Sequence, residues 1–185
     1  MNYTIEQCRQ QLFAILKADA FFTGKFILSS GKESSFYLDA RLVSLSAPGA
    51  YYTGRIMLDM IANDKVDAIG GPTLGADPMV GALASLSFQA GKPINTFIIR
   101  KQPKPHGKQQ QIEGPALKEG GSVVIVDDVA TTGKAFIESI EVLTKLNIKV
   151  AKAICIIDRG EGAREAVAKY NVPMHSIFTI NEFLK

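Results

Sequence analysis

The sequence predicts an α/β fold: a parallel, doubly wound sheet flanked by helices, with a small N-terminal hood containing an antiparallel hairpin. Two observations carry this prediction. From residue 66 onward, short apolar segments alternate with helical patterns: VDAIG (66–70), INTFII (94–99), SVVIVD (122–127), VAKAICIID (150–158) and a last short strand near 175–178. Apolar strands separated by helices build parallel sheets that are covered on both faces. Nearer the N-terminus, segments 25–29 and 35–39 flank Ser30-Gly31-Lys32, which is the pattern of an antiparallel hairpin.

Taken in order, the elements follow from local chemistry. Thr4 and Gln7 form a capping-box pattern, and Ile5, Cys8, Leu12, Ile15 and Leu16 recur at helical spacing, which predicts a helix over 4–20. Ser46 caps a second helix over 47–63, with Pro48 in the first turn, where a missing amide costs little. The strand at 66–70 leads through a Gly/Pro loop into a helix near 77–90. The strand at 122–127 leads through a TTGK turn into a helix to about 146. The strand at 150–158 leads through Arg159-Gly160-Glu161-Gly162 into a helix near 162–170. The 185 residues suit a single domain, with the hood mainly in 1–45 and the core in 46–185.

Composition narrows the function. Hydrophobic residues at 46% and charged residues at 21% are globular values. No apolar run reaches the length of a membrane span, and the N-terminus shows no secretory pattern, so a cytoplasmic protein with no membrane partner is expected. Cys8 and Cys155 lack metal-type spacing and read as reduced core residues. Segment 100–108, RKQPKPHGK, holds Arg100, Lys101, Lys104 and Lys108 and no acid, more cations than the whole net charge of +3. A local basic excess suits a small anionic ligand better than nucleic acid. Two prolines and a glycine argue against helix or strand there, and a loop of this length in a compact domain is commonly a functional lid.

Ligands of parallel sheets bind beyond the C-terminal strand ends. Four loops fall on that rim: 71–76, 100–114, 127–134 and 159–162. The richest is VVIVDDVATTGKA (123–135). Adjacent carboxylates at a strand end need hydroxyls, cations or water to satisfy them. The turn that follows presents amides, two threonine hydroxyls and the positive end of a helix to an anion, and Gly133 permits close approach. Acids beside an anion cradle point to a phosphorylated sugar. The spacing is not that of Walker A, and no GxGxxG follows a strand, which disfavours a triphosphatase and a dinucleotide-binding domain.

VVIVDDVATTGKA resembles the phosphoribosyl-pyrophosphate (PRPP) signature of type I phosphoribosyltransferases. FILSSGKESSFYLDAR (26–41), RKQPKPHG (100–107), IIDRGEGARE (156–165) and IFTINEFL near the C-terminus are similar to segments of the orotate phosphoribosyltransferases within that group. The resemblance spans nearly the whole chain. It implies transfer of the 5-phosphoribosyl group of PRPP to orotate, giving orotidine 5′-phosphate and pyrophosphate in pyrimidine biosynthesis. Asp127 and Asp128 would hold the ribose hydroxyls, and the segment Val129, Ala130, Thr131, Thr132, Gly133, Lys134 and Ala135 the 5′-phosphate. Arg100, Lys101, Lys104 and His106 would act on the pyrophosphate, with Mg²⁺ carried mainly by PRPP and no metal site of the protein alone. Thr131, Arg159, Lys32, Phe36 and Tyr37 would contact orotate. The 100–114 loop would reach a neighbouring subunit, implying a homodimer.

Several alternatives stay open. Phe36 and Tyr37 are equally ordinary core or interface aromatics, Arg159 has Glu161 and Glu165 as competing partners, and Asp39 and Arg41 read as a structural pair across the hairpin. The resemblance has departures: Leu74-Gly75 stands where some relatives carry an aromatic-lysine pair, Lys134 where glycine or a small hydroxyl residue is common, and Lys108-Gln109-Gln110 where glycine is common. A purine salvage transferase and a regulatory PRPP-binding protein without catalysis are the competing functions.

Overall fold

The computed structural model describes residues 3–27, 33–102 and 111–185. Helix α1 (Ile5–Asp19) starts at the predicted capping box, in which the Gln7 amide donates to Thr4 Oγ1 (3.1 Å) and the Thr4 amide to Gln7 Oε1 (2.9 Å). It buries Cys8, Leu12 and Leu16. Strands β1 (Phe21–Ile27) and β2 (Glu33–Leu38) form the antiparallel hairpin. The hairpin begins earlier than its sequence pattern indicated, because Phe21 follows the helix directly and packs on Phe36 and Phe183, with centroids 5.6 and 5.7 Å away. A one-turn helix α2 (Arg41–Ser44), which the sequence pattern did not announce, leads into α3 (Ala47–Met60), capped by Ser46 Oγ accepting from the Gly49 amide.

The core then alternates as expected: β3 (Ala68–Pro72), α4 (Asp77–Gln89), β4 (Asn95–Ile99), β5 (Ile112–Glu113), β6 (Ser122–Ala130), α5 (Lys134–Lys145), β7 (Lys149–Asp158), α6 (Ala163–Ala168) and β8 (Met174–Thr179), followed by a short 3-10 turn, Ile180–Glu182. The sheet order is β5-β4-β3-β6-β7-β8. The pairings are parallel, as expected, with one antiparallel addition at the β5 edge. The Arg100 amide donates to the Gln111 carbonyl (2.8 Å), so the chain returns beside the strand it has just left, and a strand that doubles back runs antiparallel.

Strand β6 shows why its residues are apolar throughout. Val124 and Val126 point into one core, with α1, α3 and α4, beside Leu12, Met57 and Leu83. Val123 and Ile125 point into the other, with α5 and α6, beside Phe136, Leu143 and Val167. Both faces are covered, so alternation of polarity has no place in this strand. Cys8 and Cys155 sit in opposite cores, fully buried and unpaired, and burial raises both thiols above their ordinary range.

The hood is fastened by the far end of the chain. Phe13 lies 4.7 Å from Phe183, and Arg9 donates to Glu182 at 2.6 Å while lying over the Phe178 ring. Connections run outward from β3 to β4 and β5 on one side, and from β6 to β7 and β8 on the other. The switch in direction lies between β3 and β6, where a crevice opens at the C-terminal strand ends.

Candidate active site

Strand β6 does not stop at its acids. It continues through Val129 and Ala130, which pair with Ile157 and Asp158 of β7. Asp127 and Asp128 are therefore held inside the sheet rather than at its end, because β7 is long enough to extend the ladder past them. Asp127 is 8% exposed. Its Oδ1 accepts from the Asp128 amide (2.9 Å), and Asp128 Oδ1 accepts from the Val129 amide (2.8 Å). Burial pushes both carboxyls above the usual carboxylate range. The Asp128 charge pushes Asp127 further, whereas hydrogen bonding and the Arg41 charge restrain Asp128. Ligand hydroxyls or cations at the pair would draw both back towards the usual range.

The 73–76 loop closes over this pair from β3. A Cβ at Gly75 would overlap Asp127 Oδ1 and Asp128 Oδ1, so only glycine lets the backbone come so near. Asp77 fixes the loop by accepting from Thr73 Oγ1 (2.8 Å), and the Thr73–Leu74 peptide is cis.

On the other side, Thr131, Thr132 and Gly133 turn the chain into α5. Gly133 has φ 81°, a left-handed conformation suited to glycine. Residues Val129 to Ala135 line a 250 Å³ recess beside Asp127 at the start of this twelve-residue helix. The Lys134 ammonium is turned to solvent, 3.8 Å from Glu138, so Lys134 lines the recess without aiming its charge into it.

A 610 Å³ cavity joins the rim loops and brings together Asp127, Asp128, Thr131, Arg100, Lys101 and Arg159. Arg100 is partly engaged by Glu113 (3.2 Å), whereas Lys101 is exposed and forms no ion pair among the described residues. Arg159 lies with its guanidinium 5.3 Å from the Phe36 ring centroid. Its Nε is 2.9 Å from Glu161 Oε1, so of the two acids left open by the sequence, Glu161 is the neighbour. The two form no hydrogen bond, and the buried Nε–H keeps no acceptor among the described residues. Tyr37 does not join this group. It alternates to the opposite side of β2, where it packs with Phe22 and Phe26. Lys32, Lys104 and His106 lie outside the described residues.

Three features were missed in the sequence. Asp39 and Arg41 line the cavity, and they pair two residues apart at the hairpin's exit, not across the hairpin. Asp158 holds the 159–162 turn, accepting from the Gly160 amide (2.9 Å) and from Arg164 Nε (2.6 Å). Glu138, Glu141 and Lys145 bring one face of α5 to the cavity wall; their three- and four-residue spacing was the available signal. Among the described residues no cluster of three or more His, Cys, Asp or Glu forms a metal site.

Residues 52–183 match the Phosphoribosyl transferase domain family. The orotate phosphoribosyltransferase of Synechocystis sp. is 40% identical over 178 residues, covering 96% of this chain and 89% of the relative. Among solved structures, Mycobacterium tuberculosis orotate phosphoribosyltransferase superposes with a TM-score of 0.85 at 30% identity, over 95% of this chain and 98% of that one. The same enzyme in complex with PRPP gives a TM-score of 0.80 at 27% identity, over 96% and 99%. At 40% identity to such an enzyme over 96% of its length, the chain belongs to the orotate phosphoribosyltransferase family.

Proposed function

We propose that this protein transfers the 5-phosphoribosyl group of PRPP to orotate, releasing pyrophosphate and giving orotidine 5′-phosphate for pyrimidine biosynthesis. The observation that carries the proposal is the single cavity that unites the buried Asp127–Asp128 pair, the turn at Thr131 and the guanidinium of Arg159. Its 610 Å³ falls within the range of small-ligand sites, about 300–1,000 Å³.

Each chemical group of the substrates has a counterpart. Asp127 and Asp128 accept hydrogen bonds from the ribose 2′- and 3′-hydroxyls, which replace the water lost on burial. The 130–135 turn receives the 5′-phosphate at the start of α5. Arg159 grips the orotate carboxylate in a planar fork, supplying its unpartnered Nε–H, and Phe36 flanks the guanidinium. Lys32 completes the base side as the substrate enters, whereas Tyr37, on the opposite side of β2, takes no part in it. Orotate's ring nitrogen then bonds to ribose C1′ as the C1′–oxygen bond to pyrophosphate breaks; both electrons of that bond leave with pyrophosphate, and the proton of the ring N–H passes to solvent or to the departing pyrophosphate. No enzyme nucleophile takes part. Arg100, Lys101, Lys104 and His106 stabilise the charge that grows on the leaving group. Mg²⁺ carried by the diphosphate would supply further neutralisation, with Asp127 and Asp128 as the residues that would meet it.

The active form is a homodimer in which the 100–114 loop serves the neighbouring site. Mixing an inactive Lys101 variant with an inactive Asp128 variant restores activity if the loop acts in trans; no recovery in the mixed dimers rules that arrangement out. We place the protein in the cytoplasm as a single domain, hood 1–45 and core 46–185; no helix among the described residues is long and apolar enough to cross a membrane.

The deciding assay follows orotate absorbance with PRPP and Mg²⁺ together and with each alone. Turnover only in the complete mixture is expected. Turnover with hypoxanthine in place of orotate identifies a purine salvage enzyme, and PRPP binding with no turnover of any base identifies a regulator. Arg159→Ala is expected to raise the orotate KM by roughly 10- to 100-fold, the worth of a charged hydrogen-bonded contact, with little change in the PRPP KM. An unaltered orotate KM removes Arg159 from the base site.

A further inference from the structure

We infer that Arg41, locked in place by Asp39, is a fixed cationic binding residue for the diphosphate of the sugar substrate. The inference rests on the proposed function and adds a residue to its site. The 72–75 loop beside the diacid reads Pro72-Thr73-Leu74-Gly75 and brings no cation of its own. Gly75 has no side chain to offer, and any side chain there would collide with Asp127 and Asp128. A diphosphate next to two acids and an uncharged loop lacks a counter-charge on that side.

Arg41 supplies one from the hood. It lines the same cavity as Gly75, Asp127 and Asp128; its charge lowers the Asp128 carboxyl, and the Asp39 charge opposes it. Its Nε and Nη2 donate to the two oxygens of Asp39 at 2.8 and 2.9 Å, and its amide donates to Asp39 Oδ1 at 3.1 Å. This side-on grip occupies one edge of the guanidinium. Nη1 makes no hydrogen bond among the described residues, and the side chain is 46% exposed. The free edge therefore presents donors in a fixed orientation. Phosphate oxygens favour such a planar fork, and holding it in place beforehand removes ordering cost at the moment of binding. Of the other rim arginines, Arg159 lies against Glu161 and Phe36, and Arg100 is paired with Glu113, which leaves Arg41 as the described arginine beside the diacid with an open edge. A purely structural exposed pair would also show this geometry, and the experiment separates the two roles.

Binding of inorganic pyrophosphate with Mg²⁺ is measured by calorimetry for the full-length protein and for Arg41→Gln, Arg41→Lys and Asp39→Asn, alongside steady-state kinetics and thermal melts. Arg41→Gln is expected to weaken pyrophosphate binding and raise the PRPP KM by tenfold or more, with the orotate KM within twofold. Arg41→Lys recovers part of the loss, and Asp39→Asn, which keeps the cation but loosens it, falls between. Pyrophosphate affinity within twofold of the parent in Arg41→Gln overturns the inference, as does an orotate KM that rises as much as the PRPP KM. If Arg41→Gln does not fold, Arg41→Lys and Asp39→Asn decide by the same readings. A parent protein that binds pyrophosphate through Arg41 but does not turn over orotate refutes the proposed reaction and leaves this inference standing.

Discussion

Lys101→Ala is expected to lower kcat by about 10²–10³, the range for removing one donor that acts on charge developing in a transition state. Lys101 stands at the mouth of the cavity, exposed and without an ion pair among the described residues, so its charge is not committed to the fold. Its neighbour Arg100 is partly spent on Glu113, which makes Lys101 the cation of this pair that is free to follow a ligand. Because the leaving pyrophosphate gains charge only as its bond to C1′ breaks, the loss falls on kcat more than on the PRPP KM. Stability changes little, since the removed side chain is exposed. Single-turnover kinetics on the variant check this, and an unchanged kcat would exclude the residue from the chemistry.

Asp127→Asn is expected to move activity and stability in opposite directions. Activity falls by orders of magnitude because one of the two acceptors for the ribose hydroxyls becomes a weaker, neutral one. Stability at neutral pH rises. The Asp127 carboxyl is raised in the folded protein by burial and by the Asp128 charge. A carboxyl raised on folding binds its proton more tightly folded than unfolded. The folded state accordingly loses stability as pH climbs from the ordinary carboxylate value, about 3.9, through the raised one. Asparagine carries no charge to bury, and its Oδ1 remains able to accept from the Asp128 amide. The gain is of the kind seen when a strained functional group is relieved, about 0.5–2 kcal/mol, or roughly 2–4 °C in Tm per kcal/mol for a chain of this size. Melting curves of parent and variant from pH 4 to 8 test it: the curves converge at the acid end and separate with the variant higher at neutral pH. A variant that melts lower at neutral pH would mean the pair stabilises the fold.

Much of this was legible in the sequence because the relevant signals are local. Short apolar segments marked β3, β4, β6 and β7, and the Thr4–Gln7 box marked the start of α1. The acids and the small-residue turn stood side by side in one peptide. What was not legible depends on partners distant in sequence. The extension of β6 past its acids comes from the length of β7. The antiparallel edge comes from the Arg100–Gln111 hydrogen bond across a ten-residue gap. The split between Phe36 and Tyr37 became visible only with β2 in register against β1 and with Arg159 arriving from β7. The reason for glycine at position 75 is a carboxylate pair more than fifty residues away in the chain.

The aromatic clasp between the hood and Phe183 has a consequence for biosynthesis. Phe13 and Phe21 cannot make those contacts until position 183 has been polymerised, whereas β3 and β6 need nothing beyond the first 130 residues to pair. Until then the hood lacks its aromatic anchor, although the pairing of β3 with β6 can already form.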